Sequence, residues 1–370
     1  MRPWLSDPDL DLYVGDCRDV LADLAPASAD CIVTSPPYWG LRDYDEAAQI
    51  GLEESLEDYV AELVQVFREA RRVLSPTGTL WLNLGDAFSS GSSGLRTKGM
   101  NGRLGRSSGA AKQGQADTAR PPVRNLPPKN LLGMPWRVAF ALQEDGWILR
   151  ADVVWSKPDA MPESARDRPT RSHEFVFMFV KQARYYFAQE RVREPFQTVP
   201  QNRFTSTAEQ PKGAAREAAG VQNPTSQGTG LLLPPQETTL FGEPEAPRGP
   251  DGRRVMTRTT STRSHENYGE LDHADGRERW PHDGRNVRTV WAIPTESYAE
   301  AHFATYPVAL ARKCLLASCP DGGTVLDPFA GAGTTAVAAR ALGLRSILVE
   351  LNEEYAEMIG RRLQQQSLLA

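Results

Sequence analysis

A short apolar run, Ala29-Asp30-Cys31-Ile32-Val33, is closed by Thr34-Ser35-Pro36-Pro37-Tyr38-Trp39, and this stretch narrows what the chain can fold into. The run has the length and composition of a buried strand. Two prolines directly behind it can neither extend a sheet nor enter a helix interior, because proline locks φ, lacks an N–H and restricts its predecessor. The strand must therefore end in an extended turn carrying a small hydroxyl, Ser35, and an aromatic face, Tyr38. In open α/β sheets, chemistry collects at the carboxyl edge of the strands. A rigid polar acceptor beside a stacking ring suits the exocyclic amine of a planar base.

The rest of the chain alternates strand and helix patterns. Leu10 to Gly15 reads as a strand ending at Asp16, Arg18 to Leu24 as a short helix, and Leu56 to Leu74 as a helix with apolar residues at helical spacing. Ser75-Pro76-Thr77-Gly78 breaks it, and Thr79 to Leu84 forms the next strand. A helix over Leu131–Glu144 and a strand over Trp147–Trp155 follow. Glu174–Val180 and Tyr185–Phe187 read as a hairpin around Lys181–Arg184. Order resumes with Arg288–Ile293, a helix over Tyr306–Ala317, a strand at Thr324–Leu326, a helix over Thr334–Leu342, a strand at Ser346–Glu350 and a closing helix over Glu353–Leu363. Such alternation implies an α/β fold with a mostly parallel, doubly wound sheet.

At 370 residues, with 40% hydrophobic residues, the chain can build one large domain or two ordinary ones. No apolar run reaches a membrane span and the start lacks a secretory signal. Cys17, Cys31, Cys314 and Cys319 have no metal-ligand spacing, and the five histidines do not cluster with them. A reduced, cytoplasmic protein without a metal is expected. Net charge is −5, but residues 88–130 hold eight basic residues and one acid, a window of +7, so the remainder carries −12. This Gly/Ser-rich arm, with Arg96, Lys98, Arg103 and Arg106, reads either as a solvated linker or as a segment tracking a polyanion. From about 191 to 285 the pattern dissolves into Gln-, Thr-, Arg-, Pro- and Gly-rich sequence that buries little on its own.

Val325-Leu326-Asp327-Pro328-Phe329-Ala330-Gly331-Ala332-Gly333-Thr334-Thr335 is a strand, a glycine turn and a helix start. Its glycines admit close approach of a ligand to the backbone, and the helix N-terminus adds a favourable dipole. No Lys follows the last Gly, so it is not a Walker loop. Glu350 ends the next strand, where a carboxylate can accept hydrogen bonds from both ribose hydroxyls of a nucleoside cofactor, or can cap the last helix.

With these residues in place, the chain resembles the β class of S-adenosylmethionine-dependent DNA amino-methyltransferases, in which the catalytic motif precedes the cofactor motif. The family's D-P-F-x-G-x-G-T-T segment stands intact from Asp327 to Thr335, and its [D/N/S]-P-P-[Y/F/W] motif as Ser35-Pro36-Pro37-Tyr38. Further matches are Gly146-Trp147, Val153-Val154-Trp155-Ser156-Lys157-Pro158, Arg168–Glu174 and His302-Phe303-Ala304-Thr305-Tyr306-Pro307. The resemblance covers roughly residues 10–190 and 287–365.

It implies a Rossmann-like methyltransferase fold with circularly permuted motif order and an inserted target-recognition region. Residues 1–190 would form the catalytic half, 191–286 the target-recognition region, and 287–370 the cofactor half. S-adenosyl-L-methionine is the implied cofactor, held by Asp327, Pro328, Phe329, Gly331, Gly333, Thr334, Thr335 and Glu350. Asp16 is expected at the adenine, with a helix N-cap as its alternative, and Phe303 against the cofactor, with a core aromatic as its alternative. Duplex DNA is the implied substrate. Ser35 and the Pro36 carbonyl would accept the amine hydrogens, Pro37 would stiffen the turn, and Tyr38, with Trp39, would stack on a flipped base. Lys157, Arg171, His173 and Glu174 are expected on or near the active edge, in phosphate contact, in structural bonding or in direct chemistry. A serine at the first motif position accompanies cytosine N4 methylation in the family and aspartate adenine N6, so cytosine N4 is expected. An RNA or protein-glutamine methyltransferase fits the motif order less well, and an inactive DNA-binding regulator should have lost Ser35, Asp327 or Glu350. A cognate restriction endonuclease and a homodimer stay open as partners; no membrane partner is expected.

Overall fold

The computed structural model of the chain describes residues 1–41, 46, 48–89, 126–195, 284–296 and 305–369. In chain order the elements are β1 (Leu5–Asp7), β2 (Leu10–Val14), α1 (Cys17–Asp23), β3 (Ala29–Thr34), α2 (Leu56–Val73), β4 (Leu74–Leu84), α3 (Met134–Glu144), β5 (Ile148–Ser156) and β6 (His173–Val180). Then come β7 (Val290–Ala292), α4 (Val308–Ser318), β8 (Thr324–Asp327), α5 (Thr334–Arg340), β9 (Arg345–Glu350) and α6 (Glu353–Leu369). Among the described residues no helix is long and apolar enough to cross a membrane. Met1–Phe196 and Asp283–Ala370 together make one compact unit.

The strands form one sheet in the order β1-β2-β9-β8-β3-β4-β6-β5-β7. From β2 to β4 every neighbouring pair is parallel. β6 runs antiparallel between β4 and β5, so β5 points the same way as β4, and β7 extends it in parallel. All the parallel strands thus end on one edge, and β6 begins there. This arrangement places β3 beside β8, although almost 300 residues separate them in sequence.

Each helix turns its apolar stripe to the sheet. Ser55 caps α2 by accepting from the Asp58 N–H, and Leu56, Tyr59, Leu63, Val66, Phe67, Ala70 and Val73 are buried on its inner face. With α1 and α3 this helix covers one face of the sheet. α4 and α5 cover the other face around Leu310, Leu315, Val325 and Ala338. α6 packs with α5 against β2 and β9 through Ile359 and Leu363.

Two local expectations are corrected. The hairpin between Glu174–Val180 and Tyr185–Phe187 does not form; β6 pairs with β5 instead. The Tyr186 N–H donates to the Thr77 carbonyl and the Ala188 N–H to Ala317, which draws that segment away from β6. The expected break at Ser75–Gly78 is carried inside β4 as a slip of register between the Ala29–Leu74 and Cys31–Thr79 pairs. Gly78 permits the slip, since a Cβ there would lie 2.7 Å from the Asp30 carbonyl.

Candidate active site

The ends of β2, β3, β8 and β9 surround an open chamber of about 200 Å³. Ser35, Pro36, Pro37 and Tyr38 form one wall, and Pro328, Phe329, Gly331, Thr334 and Glu350 form the facing one. The turn after β3 is braced from α2, where the Tyr59 hydroxyl donates to the Pro37 carbonyl at 2.8 Å. The Tyr38 ring lies directly over Gly85, where a Cβ would come within 2.6 Å of it. A glycine at the end of β4 is therefore what lets the ring sit at this depth.

The Tyr38 hydroxyl donates to Glu174 Oε2 at 2.9 Å and lies 3.4 Å from Asn83 Oδ1. Ser35 Oγ in turn donates to the Tyr38 hydroxyl at 3.5 Å. Asn83 is oriented by its Nδ2, which donates to Glu174 Oε2 and to the Phe175 carbonyl. Glu174 Oε1 is held by Lys157 Nζ at 2.5 Å, and that ammonium sits 4.3 Å from the centre of the Trp155 ring. Burial and the neighbouring Glu174 charge raise the Tyr38 hydroxyl well above its ordinary pKa, so it stays protonated.

On the opposite wall the glycine turn is folded around a carboxylate. Gly331 has φ +55° and its N–H donates to Glu350 Oε2 at 2.7 Å. Glu350 Oε1 accepts from the Asn352 N–H. Asn352, not Glu350, caps α6. Burial pushes the Glu350 carboxyl up to about 7 despite these two donors. Asp16 also reaches the chamber, and it caps α1 by accepting from the Arg18 N–H. Burial favours its neutral form, but the Arg18 guanidinium outweighs that and holds its pKa low.

Three residues of the cofactor motif stand behind the chamber wall rather than in it. Asp327 is fully buried and accepts from Thr34 Oγ1, the Phe329 N–H, Tyr306 and Thr335. Its burial raises its pKa, with these four donors opposing. Thr335 Oγ1 also lies 3.2 Å from the Val33 carbonyl, and the residue is fully buried. Gly333, at φ +72°, leaves room for Ile359, whose Cγ2 would lie 3.0 Å from a Cβ there. These residues shape the turn from behind, because their polar atoms are already bonded within the protein.

Trp39 is corrected from a stacking platform to a core side chain. It is 2% exposed and its Nε1 donates to the Glu53 carbonyl. Lys157 and Arg171 do reach the active edge, where both line a second cavity behind Tyr38. Arg171 Nη1 lies 3.7 Å from Asp86 Oδ2. Asp86 caps α3 by accepting from the Gly133 and Met134 N–H groups. Phe303, Arg96, Lys98, Arg103 and Arg106 lie outside the described residues, as does nearly all of 191–286. The root of the basic arm is described: Phe88 bridges Leu131, and Ser89 exchanges hydrogen bonds with Asn130 and Lys129, beside Asp86. Asn83, Tyr59 and Tyr306 were not anticipated. Asn83 is a polar residue inside an otherwise apolar strand run, and Tyr59 a hydroxyl on the apolar stripe of a helix, which was the available signal. Among the described residues no group of His, Cys, Asp and Glu is arranged to hold a metal ion.

Comparison with known proteins gives a consistent picture. A family profile described as DNA methylase, for N6 and N4 methyltransferases, matches residues 29–361. The type II methyltransferase M.SmaI of Serratia marcescens is 38% identical over 353 residues, covering 95% of this chain and 90% of that protein. M.Cfr9I of Citrobacter freundii, also a type II methyltransferase, is 38% identical over 354 residues, covering 95% and 87%. Among solved structures, the cytosine-N4-specific PvuII DNA methyltransferase shares the fold with a TM-score of 0.54 at 14% identity, covering 97% of this chain and 88% of that one.

Proposed function

The chain belongs to the DNA methylase family of N6 and N4 amino-methyltransferases, and from that premise we propose that it methylates the exocyclic N4 amine of cytosine in duplex DNA. The observation that carries the reading is the facing pair of walls in one chamber, Ser35–Tyr38 opposite Phe329–Glu350. The second wall fits S-adenosyl-L-methionine: a glycine turn open to close approach, a buried carboxylate with acceptor capacity for ribose hydroxyls, and Asp16 at the neighbouring strand end. Bound there, the cofactor supplies an electrophilic methyl group on a sulfonium.

An exocyclic amine is a poor nucleophile because its lone pair is delocalised into the ring. Ser35 Oγ and the Pro36 carbonyl accept its two hydrogens and draw the nitrogen toward tetrahedral geometry. Tyr38 offers its ring to the base once it has left the helix, an event that costs a few kcal/mol of stacking. No strong base is needed to begin, so the main contribution of the site is position. The basic arm, rooted beside Asp86, tracks the phosphate backbone, and Lys157 and Arg171 add positive charge at the same edge. The preference for cytosine N4 rests on Ser35, the residue that accompanies that product in the family. The type II designation of both relatives supports a role alongside a restriction endonuclease of the same site.

The test is to incubate mixed-sequence DNA with isotopically labelled cofactor, digest it to nucleosides and weigh the product. N4-methyldeoxycytidine is expected. N6-methyldeoxyadenosine would refute the cytosine assignment, and cofactor binding without any transfer would reassign the chain as a DNA-binding regulator.

A further inference from the structure

We propose that Glu174 is the terminal acceptor of the proton lost by the methylated amine, reached through Ser35 and Tyr38. This rests on the amine-methylation reading above and adds to it a residue that acts through others.

The polarity of the hydrogen bonds carries the argument. The Tyr38 hydroxyl faces two groups that can only accept from it, Glu174 Oε2 at 2.9 Å and Asn83 Oδ1 at 3.4 Å. Asn83 cannot turn its amide around, because Nδ2 already donates to Glu174 and to the Phe175 carbonyl. The Tyr38 proton must therefore point toward Glu174, which leaves a Tyr38 lone pair for Ser35. Ser35 Oγ donates to it at 3.5 Å, the longest link, closed by a small rotation of the serine. With its proton committed, Ser35 Oγ presents only lone pairs to the chamber. A carboxylate two residues away in the chain of bonds thus makes Ser35 an obligate acceptor toward an amine.

The same chain gives the proton a route. As the N–CH3 bond forms and the methyl leaves the sulfonium sulfur, which keeps the S–C electron pair, the nitrogen becomes a much stronger acid than a carboxylic acid. One N–H bond breaks and its electron pair stays on nitrogen. Its proton passes to Ser35 Oγ, the Ser35 proton to the Tyr38 oxygen, and the Tyr38 proton to Glu174 Oε2. One proton has moved from nitrogen to carboxylate, and both hydroxyls are restored. Lys157 Nζ, 2.5 Å from Glu174 Oε1, pairs with the other carboxylate oxygen and leaves Oε2 to face Tyr38. Tyr59, Asp86, Glu163, Arg171 and His173 are the other charged or titratable groups lining the cavity behind Tyr38. The Glu174 side chain keeps 17% of its exposure, enough to pass the proton to water after turnover.

Tyr38→Phe keeps the ring and removes the relay, and Glu174→Gln keeps the shape and removes the acceptor. Single-turnover methyl transfer is measured for both and for the double variant across pH 5–9, with cofactor affinity by calorimetry. The expected result is a fall of about 10²-fold in the transfer rate for each, unchanged cofactor affinity, and a pH profile whose shape differs from that of the wild type. The double variant should be no slower than the slower single one. Tyr38→Phe reacting within twofold of wild type overturns the relay, as does a Glu174→Gln effect confined to DNA affinity. Should Glu174→Gln fail to fold, Tyr38→Phe decides alone. Failure of the wild type to methylate DNA at all would sink the underlying function instead.

Discussion

Thr34 Oγ1 donates to Asp327 Oδ1 at 2.6 Å, joining the last residue of β3 to the last residue of β8 across 293 positions of sequence. The bond lies between the turn that carries Ser35 and the turn that carries Gly331, and it is fully buried. Hydrogen bonds to buried charged groups contribute more than neutral ones, so Thr34→Val should cost about 1.5–3 kcal/mol in urea unfolding. A loss below about 0.5 kcal/mol would show that Asp327 does not depend on this donor.

Ser35 touches the chamber without supporting the wall opposite, so its truncation separates chemistry from cofactor binding. Ser35→Ala should bind S-adenosyl-L-methionine with unchanged calorimetric affinity and lose about 10²–10³-fold in methyl transfer. Turnover near that of the wild type would remove Ser35 from the reaction.

Glu350, with a carboxyl pushed up to about 7 by burial, makes two pH predictions. The folded state keeps a proton that the unfolded chain releases near pH 4.5, so this residue favours folding at low pH. That contribution is lost as pH rises from 4.5 through 7. The ionised carboxylate is the better acceptor for ribose hydroxyls, so cofactor affinity should rise about tenfold between pH 6 and pH 8. Glu350→Gln should flatten that rise; a wild-type affinity independent of pH would rule out the ribose role.

Gly85 is the floor beneath Tyr38, with room for a hydrogen atom only. Gly85→Ala should push the ring into the chamber at a cost of about 1–3 kcal/mol in stability. Methyl transfer should fall more than cofactor affinity does, because the displaced ring obstructs the base and not the glycine turn. Equal losses in both would mean that the whole edge has shifted.

The sequence disclosed those parts of the site that are local. The strand over Ala29–Thr34, the double proline and the glycine turn before α5 each declare themselves within about ten residues, through burial pattern and backbone restriction. The convergence of Asn83 with Glu174 does not, because it depends on β6 pairing antiparallel with β4, which sets Leu84 opposite Phe175. The misread hairpin hid that pairing: Tyr185–Phe187 has strand composition but bonds to Thr77 and Ala317. Asp327 was legible as part of a motif, but not as a brace, since its four donors come from three separate segments. Trp39 was misjudged for a related reason: an aromatic beside a site motif reads as exposed until α2 and its neighbours close over it.

The sheet order also has a consequence for synthesis on the ribosome. β3 lies between β4, made soon after it, and β8, made nearly 300 residues later. A nascent chain that has already displayed its Ser-Pro-Pro-Tyr turn still has a bare edge along β3, exposed to mispairing, and has no second wall for its chamber. Release of the last strands from the exit tunnel therefore completes the fold and the catalyst together, so unfinished chains cannot mark DNA.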